Sequence, residues 1–246
     1  MSNDDRRERQ PAPRIADPVE LARIARSLRR DVIELVAPTR QGYVQQELGA
    51  ADIFTVLYFA ELRLDPADPD WPDRDRFLLS TAHNTAIFYA TLAARGIVDP
   101  AAIRDYCRDG SVFEINASER AGTAIEATLF AGSAGLSNLC LIVDDNRMQV
   151  EGHIDKVVSV APIAGKFRAF GWMAEDVDGH DIPALLAALE RARAHARPTC
   201  LVAATVAGKG VPGLEGLLAH NLRLPPEVAA EALAALAETH AGEDRI

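Results

Sequence analysis

The sequence predicts an α/β protein built on a doubly wound, mostly parallel sheet with helices on both faces. Two observations support this prediction. Apolar segments at residues 138–143, 171–177 and 199–206 are short and continuous, as in strands of a parallel sheet that is covered on both faces. Helical segments lie before and between them, and strands that alternate with helices are typical of a doubly wound sheet.

The first helix is predicted over residues 17–36. Asp17 provides an N-cap, Pro18 fits the first helical position, and Glu20 completes the start signal. Apolar residues then recur at helical spacing, so one face of this helix is expected in the core.

The remaining elements follow from the same periodicities. We expect further helices at residues 49–62, 83–94, 99–107, 122–134, 181–196 and 226–237, and short strands at 77–80 and 112–115. In an open parallel sheet, ligands bind outside the carboxyl ends of the strands. Polar residues near those ends are therefore the candidates for a site: Ser80 to His83, Asn116, Asp144 to Met148, Asp178 to His180, and Lys209 with Gly210.

Composition excludes several classes of protein. The 246 residues include 26 Lys+Arg and 36 Asp+Glu, a net charge of −10, which argues against nucleic acid as a partner. No apolar run approaches the ~18 residues that a bilayer requires, so no membrane segment is expected. The three cysteines are far apart in the sequence, which predicts reduced thiols and a cytoplasmic location. We expect a single domain over residues 17–240, a disordered N-terminal tail over 1–16 and a C-terminal tail over 241–246.

Several longer segments resemble the N-terminal region of transketolases. In chain order they are residues 50–59, 70–80, 138–146, 167–172, 177–181 and 205–211. Their order and spacing match over residues 21–225, with one gap between Ser111 and Val112. The resemblance implies the domain that binds thiamine diphosphate, as the N-terminal half of a split transketolase whose active site a separate C-terminal subunit completes.

The resemblance also implies a site for Mg²⁺. Asn146 matches the family's metal-binding asparagine, and Met148 supplies the backbone carbonyl that follows it. The family's Gly-Asp-Gly-Glu turn falls on residues 115–118, so Asn116 stands where the family has an aspartate. Mg²⁺ is usually held by one or two carboxylates and phosphate oxygens, and an asparagine adds no charge, so the affinity for the metal and diphosphate should fall.

Acidic residues at the end of the neighbouring strand leave two readings open. Asp144 and Asp145 follow the apolar segment 138–143. They either compensate for the lost carboxylate or are solvated acids at a strand end.

Three further differences from the family fall where the resemblance places the cofactor's diphosphate. Tyr43 replaces a histidine that faces the diphosphate, and the family's Lys-Gly-His becomes Thr81-Ala82-His83. The gap before Val112 removes a helix whose N-terminus lies near the diphosphate, a place that suits anions. Tyr43, His83, Asn116 and Asn146 are therefore the predicted cofactor contacts.

Two histidines are expected to contact the substrate. His83 is expected near the diphosphate and the sugar hydroxyls, and His220 matches an active-site histidine in a loop before a proline. Both are predicted as catalytic residues. His180, in the segment 178–181, is either part of a structural turn or a ligand.

Two functions of different class remain open. The first is transfer of a two-carbon ketol unit between sugar phosphates, with thiamine diphosphate and Mg²⁺, by a homodimer or heterotetramer that includes the C-terminal subunit. The alternative is a non-catalytic, degenerate subunit or paralogue that keeps the fold and does not bind the cofactor.

Overall fold

A computed structural model describes residues 11–81, 83–116, 137–169, 171–216 and 223–243. Its main sheet has three parallel strands in the order β1 (Cys140–Asp145), β5 (Thr199–Ala204) and β4 (Met173–Asp178). A small antiparallel pair, β2 (Met148–Gln149) and β3 (Gly152–His153), follows β1. The predicted parallel sheet is confirmed.

Helices precede, connect and follow these strands. They are α1 (Pro18–Val36), α2 (Val44–Thr55), which continues as a π-helical turn (Val56–Glu61), α3 (Thr85–Ala94), a 3-10 turn (Ala102–Asp105), α4 (Ile154–Val157), α5 (Ile163–Ala169), α6 (Ile182–Ala194) and α7 (Pro226–Glu243). None of the described helices combines the length and the apolar character that a bilayer-spanning segment needs.

The central strand, β5, is covered on both faces, as predicted. Along β5, Leu201 and Ala203 belong to the large core formed with α1, α2, α3 and α6. Cys200 and Val202 alternate with them and belong to a second core with Trp172. Because successive side chains of a strand point to opposite faces, β5 lies between two apolar layers. By contrast, most residues of β1 are half-buried. The prediction that apolar layers cover both faces of a strand therefore holds for β5 and not for residues 138–143.

The predicted start of α1 is confirmed. Asp17 accepts a hydrogen bond from the Val19 N–H at 3.0 Å, and Pro18 is the first helical residue. The tail boundaries stay predictions, although the backbone N–H groups of Ala12 and Ile15 donate to Leu64 and Phe59 at 2.9 and 2.8 Å.

Two predicted strands were wrong. Residues 77–80 contain only an isolated bridge at Leu78. Phe77 packs among Phe54, Tyr58 and Phe88, with ring centroids 5.4–5.7 Å away, so its apolar character serves an aromatic cluster. Residues 112–115 form bends.

The bends at 112–115 satisfy their backbone groups locally. Phe113 donates its N–H to the Ser111 hydroxyl at 3.0 Å and accepts from the Cys107 N–H at 2.9 Å. These bonds replace those of a sheet ladder.

Helix boundaries also differ from the predictions. The helix expected at 49–62 starts five residues earlier, at Val44, because the polar residues before Gly49 are buried and not solvated. The one expected at 99–107 is only the 3-10 turn. The helix predicted at 122–134 lies outside the described residues.

Candidate cofactor site at the carboxyl edge of the sheet

Polar side chains meet where the parallel strands end. Asp144 is the fifth residue of β1, and Thr205 follows β5; the Thr205 hydroxyl donates a hydrogen bond to Asp144. Asn84, at the N-cap of α3, also hydrogen-bonds Asp144. Burial raises the pKa of Asp144 above its ordinary value, although both hydrogen bonds and the nearby His180 favour the charged form. Asp144 is therefore a constrained, internally bonded acid.

A second network lies beneath the same edge and involves α1, α2 and the turn after β4. The guanidinium of Arg29 contacts both carboxylate oxygens of Asp52 at 3.3 and 2.5 Å and donates to the Leu48 carbonyl at 3.1 Å. His180 Nδ1 lies 2.7 Å from Asp52 Oδ2. The N–H of Val206 donates to His180 Nε2 at 2.8 Å. Since Nε2 accepts a hydrogen bond, Nδ1 carries the ring proton and donates a hydrogen bond to Asp52.

This network holds Asp52 ionised. Burial by itself raises the pKa of a carboxyl group, but the hydrogen bond from His180 and the charge of Arg29 outweigh it, so the pKa of Asp52 lies below its ordinary value. Both ring nitrogens of His180 are used inside the protein. Of the two readings left open for His180, this geometry supports the structural one.

The turn between β4 and α6 brings His180 into place. Its N–H donates to Asp178 Oδ1 at 2.8 Å, and Gly179 donates to the Ala204 carbonyl at 2.8 Å. A Cβ on Gly179 would stand 2.8 Å from that carbonyl oxygen and 2.6 Å from Thr205 Cγ2. Only glycine lets the turn cross the end of β5 so closely.

The predicted metal residues lie in the turn that follows β1. Asn146 Oδ1 accepts a hydrogen bond from the Met148 N–H at 3.0 Å, which closes the turn. Between them, Arg147 has a left-handed backbone with φ of 60°. Its guanidinium lies 2.6 Å from Asp155 and 3.8 Å from Asp145. This cation was not among the predicted site residues, although it lies between two predicted metal ligands in the sequence.

The predicted metal ligands of this chain do not fit Mg²⁺. Asn116 and Asn146 offer amide oxygens and Met148 a carbonyl, and none brings the negative charge that Mg²⁺ favours. Asp144 is bonded to Thr205, and Asp145 is paired with Arg147. Across the described ranges, no three His, Cys, Asp or Glu side chains group as ligands of a metal ion. The hypothesis that the two aspartates compensate gains no support from this geometry.

The structure brings Tyr43 and His83 together. Their ring centroids are 4.4 Å apart in an edge-to-face arrangement. Tyr43 immediately precedes α2, and His83 lies two residues before α3, so the N-termini of two helices place this pair. Two of the predicted cofactor contacts are thus held against each other.

The other predicted residues are less well placed. Asn116 is exposed and ends a described range, whereas Ala117 and Ser118 of the predicted metal turn lie outside the described residues. His220 also lies outside them. All of these site assignments stay predictions.

A buried carboxyl group at the start of α3 was not predicted. Glu47, in the first turn of α2, has no exposed surface, and its Oε1 accepts from the Ala86 N–H at 2.8 Å. Its Oε2 is buried without a hydrogen-bond partner in the described structure. Burial raises the pKa of Glu47 to about 8, so this side chain is largely protonated at neutral pH.

Comparison with known proteins identifies the class. The chain belongs to the transketolase family, a family of thiamine-diphosphate-dependent transferases: the profile described as "Transketolase, thiamine diphosphate binding domain" matches residues 20–111 and 109–224. The resemblance seen in the sequence is therefore confirmed.

Individual relatives agree with this assignment. A putative uncharacterized transketolase family protein of Sinorhizobium fredii is 33% identical, over 87% of this chain and 94% of its own length. A 6-deoxy-6-sulfo-D-fructose transketolase subunit of a Clostridium species is 28% identical, over 89% of this chain and 96% of that subunit. The transketolase of Campylobacter jejuni shares the fold, with a TM-score of 0.81 at 21% identity, and this chain covers only 43% of it.

Part of the buried network could have been found in the sequence. Arg29 lies among Leu28, Val32 and Ile33 on the apolar face of α1, where a charged residue needs a buried partner. A charged residue on an apolar helix face is thus a signal, in the sequence, of a buried ion pair. The partners, Asp52 and His180, are 23 and 151 positions along the chain, and only the fold identifies them.

Proposed function

We propose that this chain is the N-terminal subunit of a two-chain, transketolase-like enzyme that transfers a two-carbon ketol unit between sugar phosphates. One observation carries the proposal: the chain spans 96% of a relative that is itself a transketolase subunit, but less than half of a full-length transketolase. A separate C-terminal subunit therefore completes the active site. The chain's parallel sheet and the Asp52 network provide the scaffold for this site.

Within this proposal, the chain's own residues position the substrate. His83, held by the Tyr43 ring, hydrogen-bonds a sugar hydroxyl, and His220 contributes a second contact. Because the donors of this chain do not fit Mg²⁺, the proposal requires the partner subunit to supply a negatively charged ligand for the metal.

The test is reconstitution from two purified chains. The C-terminal subunit is mixed with this chain, and ketol transfer from a ketose phosphate to an aldose phosphate is measured with and without thiamine diphosphate and Mg²⁺. We expect turnover only in the mixture with cofactor. The variant His83→Ala should lower kcat/KM about 100-fold without changing assembly of the two chains. A mixture that binds the cofactor but does not transfer the ketol unit contradicts the proposal.

One set of observations favours a second candidate, a non-catalytic subunit that does not bind the cofactor. The neutral donors Asn116 and Asn146, together with the Arg147 cation, disfavour Mg²⁺. Calorimetry with thiamine diphosphate and Mg²⁺ at millimolar concentration separates the two candidates. No binding by the chain or by the mixture selects the non-catalytic subunit. In the variant Asn116→Asp, metal affinity should rise about tenfold if residue 116 faces the metal.

A further inference from the structure

A cavity of about 440 Å³ is formed by residues from three separate parts of the chain. Its lining residues are Thr39, Arg40, Gln41, Ile115, Arg223 and Pro225. Pockets that hold small organic ligands have volumes of roughly 300–1,000 Å³. The cavity adjoins the site along the chain, because Gln41 lies two residues before Tyr43 and Ile115 precedes Asn116.

Charge is the first indication of its ligand. The chain carries a net charge of −10, yet two arginines line this one cavity. Within the described part of the chain, no carboxylate pairs with Arg40 or Arg223, whereas Arg63 and Arg191 each form an ion pair at 2.8 and 2.9 Å. Two guanidinium groups without a counter-charge among the described residues favour an anion, and a guanidinium suits tetrahedral oxyanions.

The backbone of Arg40 is a second indication. Arg40 has φ of 58°, in the left-handed region, and its N–H bonds the Val36 carbonyl at 2.7 Å at the end of α1. Glycine takes this conformation without the steric cost that a side chain incurs. An arginine here is locally unfavourable, and it places a guanidinium at the cavity.

The other lining groups describe the rest of the ligand. The Thr39 hydroxyl is buried and has no hydrogen-bond partner in the described structure, and Gln41 adds an amide. Ile115 and Pro225 form an apolar wall. A compact molecule with an anionic end, hydroxyl groups and C–H surface matches this combination.

We propose that Arg40 and Arg223 bind the terminal oxyanion of a sugar substrate in this cavity. The inference rests on the proposed function and deepens it, since it assigns recognition of the substrate's charged end to the N-terminal subunit. A phosphate and a sulfonate share the required chemistry. The two arginines match the two charges of a phosphomonoester, so the phosphate binds more tightly than the sulfonate.

The test measures binding to the full chain alone, without cofactor or partner. The probes are inorganic phosphate, fructose 6-phosphate, 6-deoxy-6-sulfofructose and fructose, followed by calorimetry. Fructose 6-phosphate should bind at least tenfold more tightly than fructose. Its affinity should fall below about pH 6, where a phosphate loses its second charge, whereas that of the sulfonate should not change.

Variants locate the site. Arg40→Gln and Arg223→Gln should each weaken binding of fructose 6-phosphate about tenfold. Arg40→Gly is the more informative variant, because glycine suits the left-handed backbone: the fold should be at least as stable, while binding of fructose 6-phosphate should weaken about tenfold, as in Arg40→Gln. Arg104→Gln is the matched control, since Arg104 is exposed and its side chain pairs with no described carboxylate; it should bind as the wild type does.

The outcomes separate this inference from the proposed function. Equal phosphate affinity in the wild type, Arg40→Gly and Arg223→Gln would overturn the inference, even if the two-chain mixture transfers ketol units. If binding depends on both arginines and the mixture is inactive, the cavity assignment stands and the proposed function fails.

Discussion

Three ionisable residues, Arg29, Glu47 and Asp52, are buried where α1, α2 and α3 meet, and two different arrangements compensate for their burial. Arg29 and Asp52 pair with each other and with His180. Among the described residues, Glu47 pairs with no cation and accepts one hydrogen bond, from the first turn of α3. The carboxyl group therefore keeps its proton, which avoids a buried negative charge. The two acids therefore respond to pH in opposite directions.

Glu47 should make the protein less stable as the pH rises. Its pKa increases from 4.5 to about 8 on folding, so the folded state holds a proton that the unfolded state releases between these values. The free energy of unfolding then falls as pH rises from about 4.5 to 8. Glu47→Gln removes this dependence and should be more stable than the wild type at pH 8 by roughly 2–4 kcal/mol. Urea unfolding at pH 5 and pH 8 measures the difference.

The control for this experiment is Glu227→Gln, at an exposed position in the first turn of α7. This variant should follow the wild type at both pH values. If Glu47→Gln also does so, Glu47 is ionised in the folded protein and its assignment as a protonated acid is wrong.

The contribution of Asp52 to stability should change with pH in the opposite direction. Its pKa is depressed, so its contribution to stability is present above the ordinary carboxyl pKa and is lost as the pH falls through the folded value. Asp52→Asn leaves the guanidinium of Arg29 buried without a counter-charge and should destabilise the protein by about 3 kcal/mol at neutral pH. Thermal unfolding should show a clear drop in Tm.

An exposed ion pair in the same helix is the comparison. Arg30 and Glu34 pair at 2.8 Å on the surface of α1, and Arg30→Gln should leave the Tm unchanged because water screens this pair. Equal effects of Asp52→Asn and Arg30→Gln would contradict the view that the buried network stabilises the fold.

At the scale of elements, the turn between β4 and α6 is the most constrained part of the site. Gly179→Ala adds a Cβ within 2.8 Å of the Ala204 carbonyl oxygen, so the turn must shift away from β5. We expect a loss of about 1–3 kcal/mol, together with a weaker hydrogen bond between Val206 and His180. Gly213→Ala is the matched control, because a Cβ there meets no atom within 4 Å. Tm values of both variants test this; equal values would show that the turn adapts without cost.

The sequence predicted elements well where apolar residues recur regularly and poorly where burial depends on distant partners. α1 and α6 were found because their caps and periodicity are local. The start of α2 was missed since Gln45, Gln46 and Glu47 are polar and yet buried. Residues 77–80 had the composition of a strand, but a strand also needs a neighbour to pair with, and the described structure uses Phe77 for side-chain packing.

At the scale of the whole molecule, the proposal requires a partner. This chain of 26.6 kDa should elute from size-exclusion chromatography in a larger complex when it is mixed with the C-terminal subunit. Thiamine diphosphate with Mg²⁺ should raise the Tm of the complex and not that of the chain alone, because the chain's own donors are neutral. A shift of equal size in the isolated chain would show that this subunit holds the cofactor by itself.

The sequence by itself determined the α/β class, the parallel strands and the membership of the transketolase family, because apolar periodicity, caps and long matching segments are written along the chain. It also placed Asn146 and Met148 after the strand β1, although the turn that they form was seen only in the structure. Only the tertiary structure decided which charges meet. Arg29, Asp52 and His180 form one network, Glu47 is left to hold a proton, and Arg40 and Arg223 share a cavity. Burial and distance set the energy of a charge, and both depend on residues that lie far apart in the sequence.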